Sequence, residues 1–221
     1  VDALAGQSGL ARIRISSIEP TTVPTALFER MSDAAHPLVP FLHLPLQSGS
    51  DAVLRQMKRR YSIRDYADEV EHACRVVPDL CVGTDVMVGF PGETREDFEG
   101  TRSLLADLPV SYFHVFPFSV RKGTPAERMG GQVPPGVKQE RGATLRSLSQ
   151  HKQRIFQERF LGDTRTVLCE APKPDGRMGG FTDNYLRVEL EHASPELHNQ
   201  LVPVRLSRVQ GAMLVGQAEE I

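Results

Sequence analysis

Hydrophobic and polar positions follow two periods along the first two thirds of the chain. Segments Arg12–Ile18, Phe41–Leu46, Val82–Val88 and Tyr112–Phe116 are short, apolar or alternating, and bounded by turn residues, which predicts four strands. Between them, apolar residues recur every three to four positions and predict helices over Pro24–Ser32, Asp51–Lys58, Ile63–Val77 and Arg95–Asp107. The third of these carries Ile63, Tyr66, Ala67, Val70, Cys74 and Val77 on one face. Strand and helix in regular alternation predict a parallel sheet, doubly wound or barrel-like, in an α/β fold.

Two prolines and a glycine in Val133–Gly136 interrupt the pattern, and a helix with Leu145, Leu148, Ile155, Phe156 and Phe160 as its apolar stripe follows to Phe160. Beyond Gly162 the texture changes to short β-prone pieces ("TRTVLCE", "YLRVEL", "LVPVRLSRV", "AMLVGQAEE") separated by turn residues. That spacing predicts a small all-β barrel or sandwich. The chain therefore divides into residues 1–132, a connecting helix over 133–160, and a β domain over 161–221.

Parallel α/β folds bind ligands in the loops that leave the C-terminal ends of their strands. Two such loops stand out. Gln47-Ser48-Gly49-Ser50 follows the second strand, with Ser50 placed to cap the next helix and Gln47 able to donate and accept hydrogen bonds. Gly89-Phe90-Pro91-Gly92-Glu93 follows the third, ahead of a Thr94–Asp97 capping box, and alternation puts Asp85, Met87 and Gly89 on one face. Each loop is equally readable as a plain turn before a capped helix. Arg12 and Arg14 alternate on the first strand, a pattern that calls for carboxylates or a ligand carboxylate. His43 and His114, taken singly, read as structural groups, and the "MKRR" cations near Arg59 as a helix end favoured by its dipole.

Composition adds limits. With 26 Lys and Arg against 28 Asp and Glu, the net charge of −2 gives no bulk electrostatic case for nucleic acid or membrane. No apolar run approaches the length of a membrane span, which sets a membrane partner aside. The three cysteines, Cys74, Cys81 and Cys169, are too few for a disulfide framework and lack zinc or cluster spacing, so no metal ligands are expected and a reducing, cytoplasmic setting is the default. No P-loop or nucleophile elbow is present.

Together, "RIRISSIEP", "HLPLQSGSDAVLRQMKRRYS", "TDVMVGFPGETREDF" and "HVFPFSVRKGTPA" resemble the radical S-adenosylmethionine (SAM) methylthiotransferases, in that family's order and near its spacing. The final sixty or so residues resemble its RNA-binding TRAM domain. The resemblance implies a partial, incomplete radical SAM β/α barrel with a small C-terminal TRAM barrel. It implies SAM as cofactor, held by Gln47, Ser48, Ser50, Gly89, Gly92 and Glu93, with Glu19 and Arg59 at the same rim. It assigns no acid, base or nucleophile to this chain, and no catalytic residue. In the β domain it points to Arg177, Tyr185, Arg187, Arg205 and Arg208 for contacts with a tRNA anticodon stem-loop, although residues 161–221 carry six Lys and Arg against nine Asp and Glu.

Within the family, "ISSIEP" and "GFTDNYLRV" are most like the branch that methylthiolates N6-threonylcarbamoyladenosine at tRNA position 37. The isopentenyladenosine branch is the first alternative. A non-catalytic RNA-binding protein and a barrel enzyme taking a phosphorylated metabolite through Gly89–Thr94 are the others. The family's CxxxCxxC motif is absent from the sequence, so the two [4Fe–4S] clusters implied for the parent need ligands outside it. The expectation is a C-terminal portion, inactive alone, whose partner is the preceding part of the same protein.

Overall fold

The computed structural model describes residues 1–191 and 194–219. After a short helix α1 (Asp2–Ala5) come α2 (Thr25–Ser32), β1 (Phe41–His43), α3 (Asp51–Gln56), α4 (Ile63–Val76), β2 (Cys81–Val88), α5 (Arg95–Asp107) and β3 (Tyr112–Pro117). The strands form a parallel sheet in the order β1-β2-β3, with Leu42 paired to Val82 and Asp85 to His114. Val86 and Val88 are fully buried against the helices while Asp85 and Met87 face the other side half-buried, as alternation demands.

Local chemistry places the helices. Ser62 and Asp65 close a capping box at the start of α4, and Thr94 and Asp97 close another at α5, each satisfying two orphan N–H groups of a first turn. Helix α4 buries Tyr66, Val70 and Ala73, and the Tyr66 hydroxyl donates to Leu44 O at 2.9 Å, which ties α4 to the strand it covers.

The first expected strand is not one. Residues 12–18 run beside β1, with Ile13 bridging Leu38 and Ile18 N donating to His43 O at 3.1 Å, but form no ladder between those points. The cause lies in the neighbour. Phe41 N turns back onto Val39 O at 2.8 Å across Pro40, removing a donor that a regular ladder would present to this segment. The second expected strand shortens for a related reason, because Pro45 has no N–H and Leu46 N bonds the Thr84 side chain instead of backbone.

Helix α6 (Pro135–Glu158) crosses the sheet and leads into β4 (Thr164–Cys169), β5 (Met178–Phe181), β6 (Arg187–Glu191), β7 (Leu201–Gln210) and β8 (Met213–Ala218). These five close into a barrel, β4-β5-β6-β8-β7, in which closure removes the open sheet edge. Its interior residues Val167, Val188, Val204 and Leu214 join Phe156 and Phe160 of α6, and Val39, Phe41 and Cys81 of the α/β part, in one apolar cluster. The barrel is thus packed onto the N-terminal ends of the parallel strands. The alternating arginines contribute to that seam: Arg12 donates to Thr166 O at 2.7 Å and Phe181 O at 3.0 Å, and Arg14 lies 4.1 Å from the Tyr185 ring centre. Among the described residues no helix is long and apolar enough to cross a membrane.

Candidate functional site

The opposite, C-terminal ends of the strands hold a basin of about 420 Å³, walled by Gln47, Met57, Arg59, Met87, Phe90 and Phe118. Gln47 adopts a left-handed backbone, φ 68°, while its N–H reaches Asp85 O and its C=O receives Met87 N, both at 2.8 Å. Both of its backbone groups are tied to β2, and its side chain lines the basin. Arg59 forms a rim beside it, held by Glu19 at 3.2 Å to each carboxylate oxygen. Thioether and aromatic walls with a cation at one end suit an amphipathic ligand carrying a carboxylate.

The rest of the first loop has another task. Ser48 and Gly49 are buried, and Gly49 N donates to Thr101 Oγ1 at 2.9 Å. A Cβ on Gly49 would fall 2.5 Å from Thr101 Cα, so α5 approaches the loop only because no side chain intervenes. Ser50 caps α3, accepting from Val53 N at 3.4 Å, and its hydroxyl donates to Asp97. Ser48 Oγ accepts from Ser50 N at 3.2 Å. The small polar cluster is therefore turned toward helix packing, and Gln47 alone of it lines the basin.

The second loop is braced from behind. Glu93 accepts from Gly89 N and from Arg141 of α6, whose guanidinium lies 2.6 Å away, with side-chain exposures of 1% and 11%. Burial pushes the Glu93 carboxyl up, while the Gly89 N–H and Arg141 oppose that shift. Gly89 and Gly92 both have positive φ, 75° and 83°, and Gly92 N donates to Gly131 O at 2.8 Å. Gly92 is exposed next to Gln56, another wall of the basin. Residue type at position 93 was legible in the sequence, but its partner 48 residues away was not.

In the barrel, Tyr185 is half-buried, stacked on Phe181 with ring centres 4.5 Å apart and planes 11° from parallel, and 4.9 Å from Phe41. Arg187 lies over Phe181 and pairs with Glu170 at 3.6 Å. Arg177 pairs with Asp175 and Glu189, Arg208 with Glu191 at 2.7 Å, and Arg205 stands exposed on β7. Phe181, Tyr185 and Arg187 are brought together, whereas Arg205 and Arg208 sit on β7, which is not a neighbour of β5.

The cysteines do not fit a cluster. Cys74 Sγ faces Pro109 O from α4, Cys81 starts β2 in the seam, and Cys169 is buried at the end of β4. Burial pushes the Cys74 thiol to about 11 and the Cys81 thiol to about 12, the reverse of what a thiolate ligand requires.

Residues 3–105 match the Radical SAM superfamily. The chain is 36% identical over 202 residues, 90% of its length, to the threonylcarbamoyladenosine tRNA methylthiotransferase MtaB of Bacillus subtilis, and covers 44% of that protein. It is 34% identical over 92% of its length to a tRNA-2-methylthio-N(6)-dimethylallyladenosine synthase of Pseudomonas aeruginosa, covering 46% of it. The chain thus spans less than half the length of these relatives. Among solved structures it is similar to the radical SAM enzyme coproporphyrinogen III oxidase (HemN) of Escherichia coli, with a TM-score of 0.50 and 21% identity over 62% of this chain and 32% of that one, a likeness of fold.

Proposed function

We propose that the chain is the C-terminal portion of a tRNA methylthiotransferase of the radical SAM type. The observation that carries this reading is the similarity to two tRNA-methylthiolating enzymes along nine-tenths of the chain, through the α/β part and the barrel alike. The first reading of the substrate is N6-threonylcarbamoyladenosine at position 37, supported by "ISSIEP", "GFTDNYLRV" and the 36% identity to the Bacillus enzyme. The Pseudomonas relative favours the dimethylallyl nucleoside as the second.

In this reading SAM occupies the basin, where it supplies the radical and methyl chemistry of the family. The chain's own residues bind and orient. Gln47 offers both a donor and an acceptor, Met87, Phe90 and Phe118 exclude water, and Arg59, steadied by Glu19, meets a carboxylate. Glu93 and Arg141 act behind the loop, fixing Gly89–Gly92 as a wall. The [4Fe–4S] clusters are assigned to the rest of the protein, since the thiols here do not fit them, and no step is derived through them. The closed barrel is read as a TRAM domain that meets the anticodon stem-loop through Arg177, Tyr185, Arg187, Arg205 and Arg208, in a cytoplasmic enzyme.

The test is mass spectrometry of tRNA nucleosides from cells lacking the gene. Selective loss of 2-methylthio-N6-threonylcarbamoyladenosine is the expected result. Loss of the dimethylallyl form instead transfers the protein to the second reading, and no change in either overturns both.

A further inference from the structure

On one face of the sheet, side chains from three neighbouring strands meet. His43 of β1 places Nε2 3.1 Å from Asp85 Oδ2, and His114 of β3 places Nδ1 3.2 Å from Asp85 Oδ1. Asp85 and His114 are direct register partners on β2 and β3, and His43 pairs with Gly83, two residues before Asp85. The convergence therefore follows from the register of a hydrogen-bonded parallel sheet, a rigid support for a ligand set.

We propose that His43, Asp85 and His114 form a binding site for a divalent transition ion of the zinc type, with one coordination position left open. One ligand atom from each of the three lies within 4.8 Å of the other two. The two N···O separations, 3.1 and 3.2 Å, end on the two different oxygens of Asp85, so the carboxylate turns one oxygen toward each imidazole. Two imidazoles and one carboxylate suit zinc or ferrous iron more than magnesium or calcium, which prefer oxygen. Among the described residues no Lys or Arg pairs with the Asp85 carboxylate, so both of its close partners are groups that can ligate.

The surroundings favour an ion with access to solvent. His43 and Asp85 have side-chain exposures of 10% and 26%, while His114, at 56%, is free to adjust its ring onto an ion. His114 also lines a cavity of about 790 Å³ between the sheet and the barrel, shared with Tyr112, Phe156 and Tyr185. A Cβ on Gly83 would lie 2.6 Å from the Tyr112 hydroxyl and 3.0 Å from His43 Nδ1, so glycine there leaves room for both groups beside the strand. The site adjoins the basin without sharing its lining: Gln47 N bonds Asp85 O at 2.8 Å and Met87 follows Asp85 by two residues, but none of His43, Asp85 and His114 walls the basin.

The purified 221-residue chain, stripped with a chelator and dialysed, is titrated with Zn²⁺ by calorimetry and with Co²⁺ by visible absorption. One equivalent of Zn²⁺ is expected, together with the intense d–d bands of four-coordinate Co²⁺. His114→Ala, at an exposed position, and Asp85→Asn are expected to weaken Zn²⁺ binding by at least about tenfold, a floor set by what even outer partners of a metal site contribute. Far-UV circular dichroism checks that each variant is folded. Absence of stoichiometric binding in the unmodified chain, or equal binding in a folded His114→Ala variant, overturns the proposal and leaves Asp85 as a carboxylate hydrogen-bonded to two imidazoles.

Discussion

Replacing Arg141 by Met tests what braces the glycine loop. The guanidinium is nearly enclosed, bonds Glu93 at 2.6 Å, donates to Glu93 O at 3.3 Å and lies 5.3 Å from the centre of the Phe98 ring. Methionine retains much of the apolar contact but leaves a buried carboxylate answered only by Gly89 N–H. Removing one partner of such a pair costs about 3–5 kcal/mol, or between about two and four orders of magnitude in the folding equilibrium. Glu93→Gln should cost less, since an amide oxygen still accepts from Gly89 and Arg141, and the double variant should fall short of the sum by about 1–3 kcal/mol.

The effect carries a pH signature. A carboxyl whose folded pKa is raised, as burial raises Glu93, contributes stability that is complete below its unfolded pKa and is lost as pH rises through the folded value. Arg141→Met pushes Glu93 further the same way. Its deficit should therefore be greatest near neutral pH and shrink on acidification. The chain has no Trp, so urea unfolding is followed by far-UV circular dichroism at several pH values. An Arg141→Met variant within about 0.5 kcal/mol of the parent at neutral pH, the range of an ordinary surface substitution, would refute the assignment of this pair as the brace.

Two further outcomes are expected. Under the proposed function, Gly92→Leu forces a side chain onto a φ of 83° beside Gln56, and strain of about 1–2 kcal/mol next to the basin should lower SAM affinity by about tenfold; unchanged affinity by calorimetry would count against a role of this loop in binding SAM. Asp97 is raised by burial but lowered more by hydrogen bonds from Ser50 and Thr94, so its net shift is downward and it contributes stability that is present above its unfolded pKa and lost as pH falls through its folded pKa. Asp97→Asn should cost about 1 kcal/mol at neutral pH, as loss of a cap does, and the gap to the parent in urea midpoint should narrow toward about pH 3; a gap that widens on acidification contradicts this.

The barrel core reaches into the start of the parallel sheet through Val39, Phe41 and Cys81, while the α/β part keeps a core of its own around Leu42, Tyr66 and Val86. Tyr185, expected to reach RNA, instead lies in the seam against Phe41, Phe181 and Arg14. Any base that stacks on this cluster must do so on its remaining exposed edge, next to Arg187.

The sequence by itself determined the features that depend on neighbours within one helical turn or one strand. Ser50, Ser62–Asp65 and Thr94–Asp97 announced their caps, the apolar stripe of α4 announced its buried face, and the change to short strands after Gly162 announced a separate β unit. Tertiary structure decided everything that depends on register between distant segments. It turned Ser48, Gly49 and Ser50 toward α5 and left Gln47 to the basin. It gave Glu93 its partner on α6, sent Arg12 and Arg14 to the barrel rather than to a ligand, and denied residues 12–18 a ladder because Phe41 N had already folded back at Pro40. It also joined His43 and His114, each unremarkable alone, through Asp85. Periodicity tells which face a side chain takes, but only the pairing of strands separated by tens of residues sets which side chains stand at the same level of that face.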